Sequence, residues 1–230
     1  MFISEVFYSI QGEGELAGVP SVFVRTSGCN LRCSWCDTMY ASWHPEGVEK
    51  TLDDLIEEIQ AHNADHVVVT GGEPMIARDI HSLTGRVKSK GMHITIETAG
   101  TVLPDGIDCD LVSISPKLKN STPGVELSAS WRTRHEDTRW RPEIAKEWIH
   151  QYDYQLKFVV SHSDDIREIE EYVNETGLKI PPRKILIMPE GKDKQELSDH
   201  TDIVVDVCKS KGYRFCNRLH VDLFGNTRGT

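Results

Sequence analysis

Cys29, Cys33 and Cys36 stand at the spacing C-x3-C-x2-C, between Gly28 and Asp37. A loop this short lets three thiolates turn toward one metal centre. A structural zinc takes four ligands, usually from two C-x2-C pairs or Cys/His pairs. No such pair follows, and the nearest histidine, His44, sits beside Pro45. Iron–sulfur clusters are held by thiolates. A four-iron cluster with only three irons tied to protein would leave one open to a small molecule, and an open position marks a reactive metal site. Two alternatives stay open on the residues alone: three buried thiols without metal, or a zinc that borrows a remote ligand.

Other residues carry weaker signals, each with an ordinary reading beside the chemical one. Gly71-Gly72 ends an apolar run, where glycine permits close approach of the backbone to a ligand but also marks plain turns. Thr38 directly follows Cys36-Asp37; its hydroxyl suits Mg2+, which needs only one or two protein contacts, or a local cap. Gln11, Glu13 and Glu15 offer donors and acceptors around Gly12 and Gly14, or simply form a polar turn. Arg25 could clamp a carboxylate through two prongs, or lie on the surface. Cys109, Cys208 and Cys216 form no motif and read as unreactive thiols.

With the aromatic Trp35 just before its last cysteine, the C-x3-C-x2-C loop resembles the radical S-adenosylmethionine superfamily. Gly71-Gly72-Glu73-Pro74 resembles that superfamily's GGEP motif. Ser9-Ile10-Gln11-Gly12-Glu13-Gly14, Arg25, Cys36-Asp37-Thr38 and Ser115-Pro116-Lys117 narrow the resemblance to the 7-carboxy-7-deazaguanine synthases. It runs over most of the chain and is strongest in residues 1–120.

The resemblance implies a [4Fe-4S] cluster on the three cysteines, with S-adenosylmethionine chelating the open iron. An electron then yields a 5′-deoxyadenosyl radical. The implied reaction contracts the ring of 6-carboxy-5,6,7,8-tetrahydropterin to give 7-carboxy-7-deazaguanine and ammonia, on the route to queuosine and other 7-deazapurines. By the same resemblance Gly72 contacts the methionine amine of the cofactor. Trp35, Asp37, Thr98, Ser115, Pro116 and Lys117 line the cofactor, and Thr38 holds Mg2+. Ile10, Gln11, Gly12, Glu13, Arg25 and Thr70 hold the substrate, whose mixed donor and acceptor edge an amide, a carboxylate and backbone groups can match. A homodimer and a reducing partner such as flavodoxin or ferredoxin are implied too. In shorter members the chain end reaches the substrate soon after a histidine; here Val221 to Thr230 follow His220. Two rival readings are a glycyl-radical activase and a metal-binding interaction module without catalysis.

The elements that must position these residues alternate along the chain. Residues 2–10, 21–26, 66–70, 92–98, 110–115, 154–161, 184–188 and 215–223 read as strands. Thr51 caps a helix with Leu52, Leu55, Ile56 and Ile59 on one face. Ile80, Leu83 and Val87 mark a helix stopped by Gly91, and Ile166, Ile169, Tyr172 and Val173 one closed by Gly177. A helix is expected from Pro142, and residues 197–211 are helical until Gly212. Such alternation predicts parallel strands with helical crossovers. The chain is short for an eight-fold barrel of about 250 residues. The fold class is α/β, an incomplete (β/α)6-type partial TIM barrel, in one domain over residues 1–230. Residues 119–150 form an insertion or lid, and residues 220–230 a tail.

The net charge of −10 and pI of about 5.5 argue against a nucleic-acid footprint. Arg132, Arg134, Arg139 and Arg141 form the one dense basic group; Glu136, Asp137 and Glu143 interleave, predicting a salt-bridged face. No apolar run reaches about eighteen residues, so no membrane span is expected. The N-terminus lacks the basic and apolar regions of a signal peptide. Six cysteines are then expected to be reduced, in the cytoplasm.

Overall fold

The computed structural model describes all 230 residues. It opens with an antiparallel hairpin, β1 (Phe2–Ile10) and β2 (Pro20–Thr26), whose outer edge carries a short strand β3 (Val48–Glu49). Strand–helix alternation therefore starts one strand later than the sequence suggested, and residues 99–110 join two later strands without a helix. Residues 11–19 are too few for a parallel crossover, so β1 can only turn back on β2.

From β2 onward every pairing is parallel. β4 (His66–Gly71), β5 (His93–Thr98), β6 (Leu111–Ile114), β7 (Tyr154–Val160), β8 (Ile185–Pro189) and the stub β9 (Arg214–Phe215) follow in order. The sheet order is β3-β1-β2-β4-β5-β6-β7-β8-β9, and it does not close. Six parallel strands, β2 and β4 to β8, make the expected open (β/α)6 barrel.

Strand periodicity sorts core from site. Successive side chains point to opposite faces, so Val67 and Val69 of β4, Ile94 and Ile96 of β5, and Leu156 and Phe158 of β7 join the core cluster under the helices. Their neighbours Val68, Thr70, Glu97, Lys157 and Val159 face a cavity on the other side. Ser21, His66 and Thr95 lie deeper: the His66 ring bonds Ser21 Oγ at 2.7 Å and Thr95 Oγ1 at 2.8 Å.

The helices follow local signals. Thr51 and Asp54 close a capping box on α2 (Leu52–Gln60), after a single-turn α1 (Met39–Ser42). α3 (Ile80–Ser89) and α6 (Asp165–Glu175) begin and end near the expected positions. α7 (Lys194–Lys211) starts at an Asp193 cap and stops at Gly212, with φ of 72°. No helix is long and apolar enough to cross a membrane.

Three expectations need correction. Residues 119–150 hold α4 (Ala129–Thr138) as well as the expected α5 (Pro142–Gln151). α4 shows no apolar stripe because it packs mainly through one buried polar residue, His135. The last expected strand, 215–223, is β9 and then α8 (Leu219–Phe224). Phe215, Leu223 and Phe224 are exposed there, and only Cys216 and Val221 are buried apolar residues. The arginine group is only half salt-bridged: Arg139 pairs with Glu136 and Glu168, and Arg141 with Glu143, whereas Arg132 and Arg134 make no ion pair.

Candidate active site

A cavity of about 420 Å³ opens at the carboxyl ends of the parallel strands, within the usual range for a small-molecule site. The predicted residues Ile10, Gln11, Gly12, Glu13, Arg25, Cys29, Cys33, Trp35, Cys36, Asp37, Thr38, Thr70, Gly72, Thr98, Ser115 and Lys117 all line it. Pro116 is buried and does not reach the lining. Glu15 turns away to Lys184 and Arg214, each at 3.2 Å.

Backbone contacts build the cysteine wall. Gly28 N donates to Ala41 O at 2.7 Å, Glu73 N to Gly28 O at 2.9 Å, and Ser34 N to Ser121 O at 2.9 Å. A Cβ at Gly72 would stand 2.7 Å from both Ala41 O and Cys29 Cβ, so only glycine fits beneath the loop. Glu73 is fully buried; its carboxylate accepts from Met75 N, Thr98 Oγ1 and Ala99 N at 2.7–3.1 Å. The Glu of the GGEP stretch thus ties the end of β4 to the end of β5, and it occupies the Thr98 hydroxyl. α4 braces the wall from outside. His135 Nδ1 accepts from Arg32 N at 3.2 Å, and its Nε2 lies 3.1 Å from Ser121 Oγ. Trp35 Nε1 donates to Asn120 at 3.1 Å. Residues 119–138 are therefore a buttress for the cysteine loop.

No three of the chain's His, Cys, Asp or Glu side chains converge as the donors of a single ion would. In a cluster each thiolate holds its own iron instead, and the cavity wall presents three cysteines without a fourth. The residues fit a cluster with one open iron. Burial pushes the Cys29 thiol up to about 12 and raises Cys33 as well, so cluster assembly must displace their protons. The Thr38 hydroxyl makes no capping bond to α1; its contact is with Cys36 Sγ, at 3.8 Å.

Side chains distant in sequence build the opposite wall. Lys157 Nζ sits 2.5 Å from Glu13 Oε2 and 2.9 Å from Glu97 Oε2. Arg218 Nε reaches Glu13 Oε1 at 3.1 Å, and its Nη2 pairs with Asp37. Burial alone would raise Glu13, but Lys157 and Arg218 outweigh it and hold the carboxyl well below the usual range. Asp37 is likewise held low, Arg218 prevailing over burial. Burial works against Lys157, yet Glu13 and Glu97 keep it firmly charged. His220 packs over Gly12, and burial pushes its ring below the ordinary histidine range. Phe7 and Phe23 stack at 4.9 Å and add a flat apolar face. Glu5 Oε1 takes Arg25 Nε at 2.7 Å, leaving both Nη groups of Arg25 without a protein partner.

Sequence reasoning missed Phe7, Phe23, Glu97, Lys157 and Arg218, and it left His220 aside. Period-2 alternation in β1, β2, β5 and β7 is the one signal that could have found the first four. Residues 225–230 also line the cavity, held by Arg228, which pairs with Glu46 at 3.0 Å and lies 4.1 Å from the Tyr40 ring.

Comparison with known proteins agrees with this geometry. Residues 23–111 match the Radical SAM superfamily. A 7-carboxy-7-deazaguanine synthase of Rhodopirellula baltica is 46% identical over all of this chain and 89% of its own length. One from Halobacterium salinarum is 44% identical over 99% of this chain and 92% of its own. The crystal structure of QueE from Escherichia coli superposes with a TM-score of 0.67 at 28% identity, covering 95% of this chain and 94% of that one.

Proposed function

The chain belongs to the 7-carboxy-7-deazaguanine synthase family, and from that premise we propose that its cavity takes 6-carboxy-5,6,7,8-tetrahydropterin. It is a radical S-adenosylmethionine lyase that forms 7-carboxy-7-deazaguanine and ammonia, in queuosine biosynthesis. One observation carries the reading: the three cysteines and Gly72 open on the same space as Gln11, Glu13, Arg25 and Thr70.

When bound, the cluster and S-adenosylmethionine supply reversible hydrogen-atom transfer with the substrate. The chain's own residues orient and enclose. Arg25 takes the substrate carboxylate through its two free Nη groups. Glu13 stays anionic and is therefore an acceptor only, while Gln11 offers both donor and acceptor. Phe7 and Phe23 lie beside the flat heterocycle. Gly72 lets the cofactor's methionine end approach the backbone, with Trp35, Ser115 and Lys117 lining its path. Thr38 holds Mg2+, which orients the substrate carboxylate; its uncapped hydroxyl supports this. The electron comes from a flavodoxin or ferredoxin in a reducing cytoplasm, and the enzyme works as a homodimer. An activase or a non-catalytic module would not account for full-length likeness to synthases.

The test is an anaerobic turnover assay on iron- and sulfide-reconstituted protein with S-adenosylmethionine, Mg2+, a chemical reductant and the pterin. Formation of 7-carboxy-7-deazaguanine, lost in Cys33→Ala, is expected. Release of 5′-deoxyadenosine without that product would sink the substrate assignment.

A further inference from the structure

The two walls of the cavity come from segments that make no direct polar contact. No hydrogen bond or ion pair runs between residues 11–15 and residues 29–38. One side chain joins them. Arg218 is buried, at 8% exposed, between β9 and α8. Its Nε donates to Glu13, its Nη2 to Asp37, and its Nη1 to Gly191 O at 2.5 Å. The next residue adds a main-chain tie, Leu219 N to Gly12 O at 2.9 Å.

We propose that Arg218 is a positioning residue that sets the distance between substrate and cluster, by clamping the Glu13 carboxylate to the Asp37 carboxylate beside the third cysteine. The proposal rests on the reading of Glu13 as a substrate contact. Lys157 cannot do the same work, since both its carboxylates, Glu13 and Glu97, lie on the substrate side. A planar guanidinium with five donors can bind two carboxylates and a carbonyl at fixed angles; a lysine ammonium at this place is shorter and lacks the fork. Hydrogen transfer between two separately bound molecules depends steeply on their separation, and a displacement of 1 Å can cost about 100-fold.

The test uses cluster-loaded Arg218→Lys, Arg218→Gln, Glu13→Gln and the double variant Glu13→Gln/Arg218→Gln. Calorimetry gives the pterin dissociation constant without reductant, and turnover gives deoxyadenosine released per product formed. Arg218→Lys is expected to keep wild-type iron content and S-adenosylmethionine affinity. It should release about 100-fold more deoxyadenosine per product, the scale of a misplaced reactant. Arg218→Gln and Glu13→Gln should both weaken pterin binding, by about 10-fold or more each as charge-assisted bonds are lost, and the double variant should be little worse than either, as members of one network behave. Wild-type coupling and affinity in Arg218→Lys would overturn the proposal, even if Arg218→Gln fails to fold. Fully additive losses in the double variant would overturn it as well. Wild-type pterin binding by Glu13→Gln would instead remove Glu13 from the substrate site, and the proposal with it. Weakened Glu13→Gln beside an unimpaired Arg218→Lys leaves the substrate reading intact and rejects the clamp alone.

Discussion

The cysteine wall and the charge wall of the cavity are held in different ways. The cysteine loop is fixed by main-chain bonds to Ala41, Glu73 and Ser121, and by a glycine with no room for a side chain. The opposite wall is four side chains of alternating sign, Glu97, Lys157, Glu13 and Arg218, drawn from four separate segments, with Arg218 reaching across to Asp37 of the cysteine loop. A main-chain wall keeps its shape whatever a single polar side chain does. A buried charge network is costly once it is only partly satisfied. The contrast suits the tasks: the cofactor side must be rigid and dry, and the substrate side must present ionised groups at set positions.

Substitutions can break this contrast in order of size. Gly72→Ala should do the most damage, because Ala41 O and Cys29 Cβ are backbone-bound and cannot swing aside. Overpacking of this sort costs about 1–3 kcal/mol; a lower thermal midpoint and reduced iron content after reconstitution are expected. Gly12→Ala meets the side chain of His220, its Cβ at 2.9 Å as well as its ring, and none of the backbone atoms that crowd Gly72; it should retain iron and lose pterin affinity. Equal iron loss in both would erase the distinction between the walls.

His135→Ala removes the buttress from α4. It leaves Arg32 N without its acceptor, whereas Ser121 Oγ keeps its bond to Leu118 O; the unpaired buried donor costs about 1–3 kcal/mol, measurable by chemical denaturation. The pH dependence separates the walls further. Burial pushes His135 down to about 4, from 6.5 when unfolded. The native state then binds fewer protons than the unfolded one, so stability falls as pH drops through that window. His66, also near 4 through burial, adds to the same slope, and His135→Ala should flatten it in part. Glu13 is held below its ordinary 4.5, so its contribution is present above that pH and is lost as pH falls beneath it. Glu13→Gln should remove that acid limb. The smallest effect belongs to Arg228→Ala. It frees the exposed end of the tail from Glu46 and Tyr40, and a rise of a few-fold in KM with unchanged kcat is expected.

The sequence made the two walls unequally legible. The cysteine wall is local: C-x3-C-x2-C, Trp35 and Gly71-Gly72 are contiguous stretches whose spacing already implies a shared centre. Strand ends were readable for the same reason, since β4 and β5 are short apolar runs closed by turn residues. The charge wall is not local. Lys157 lies in an apolar strand and looks like an ordinary surface lysine until the barrel turns it inward against Glu13 and Glu97. Arg218 carries no motif, and its partners are 205 and 181 positions away. α4 escaped notice because its polar sequence lacks an apolar face, and α8 because its apolar residues at 215–223 mimic a strand. In each case tertiary contacts overrode a local pattern.

If the two walls hold cofactor and substrate in one cavity, hydrogen must pass directly between them. The most direct measurement is anaerobic turnover with pterin deuterated on its reduced-ring carbons. The expected result is 7-carboxy-7-deazaguanine with deuterium recovered in S-adenosylmethionine or deoxyadenosine, and no such transfer when Cys33 is replaced by alanine. Deoxyadenosine that carries no deuterium, from an intact cluster with the pterin bound, would contradict it.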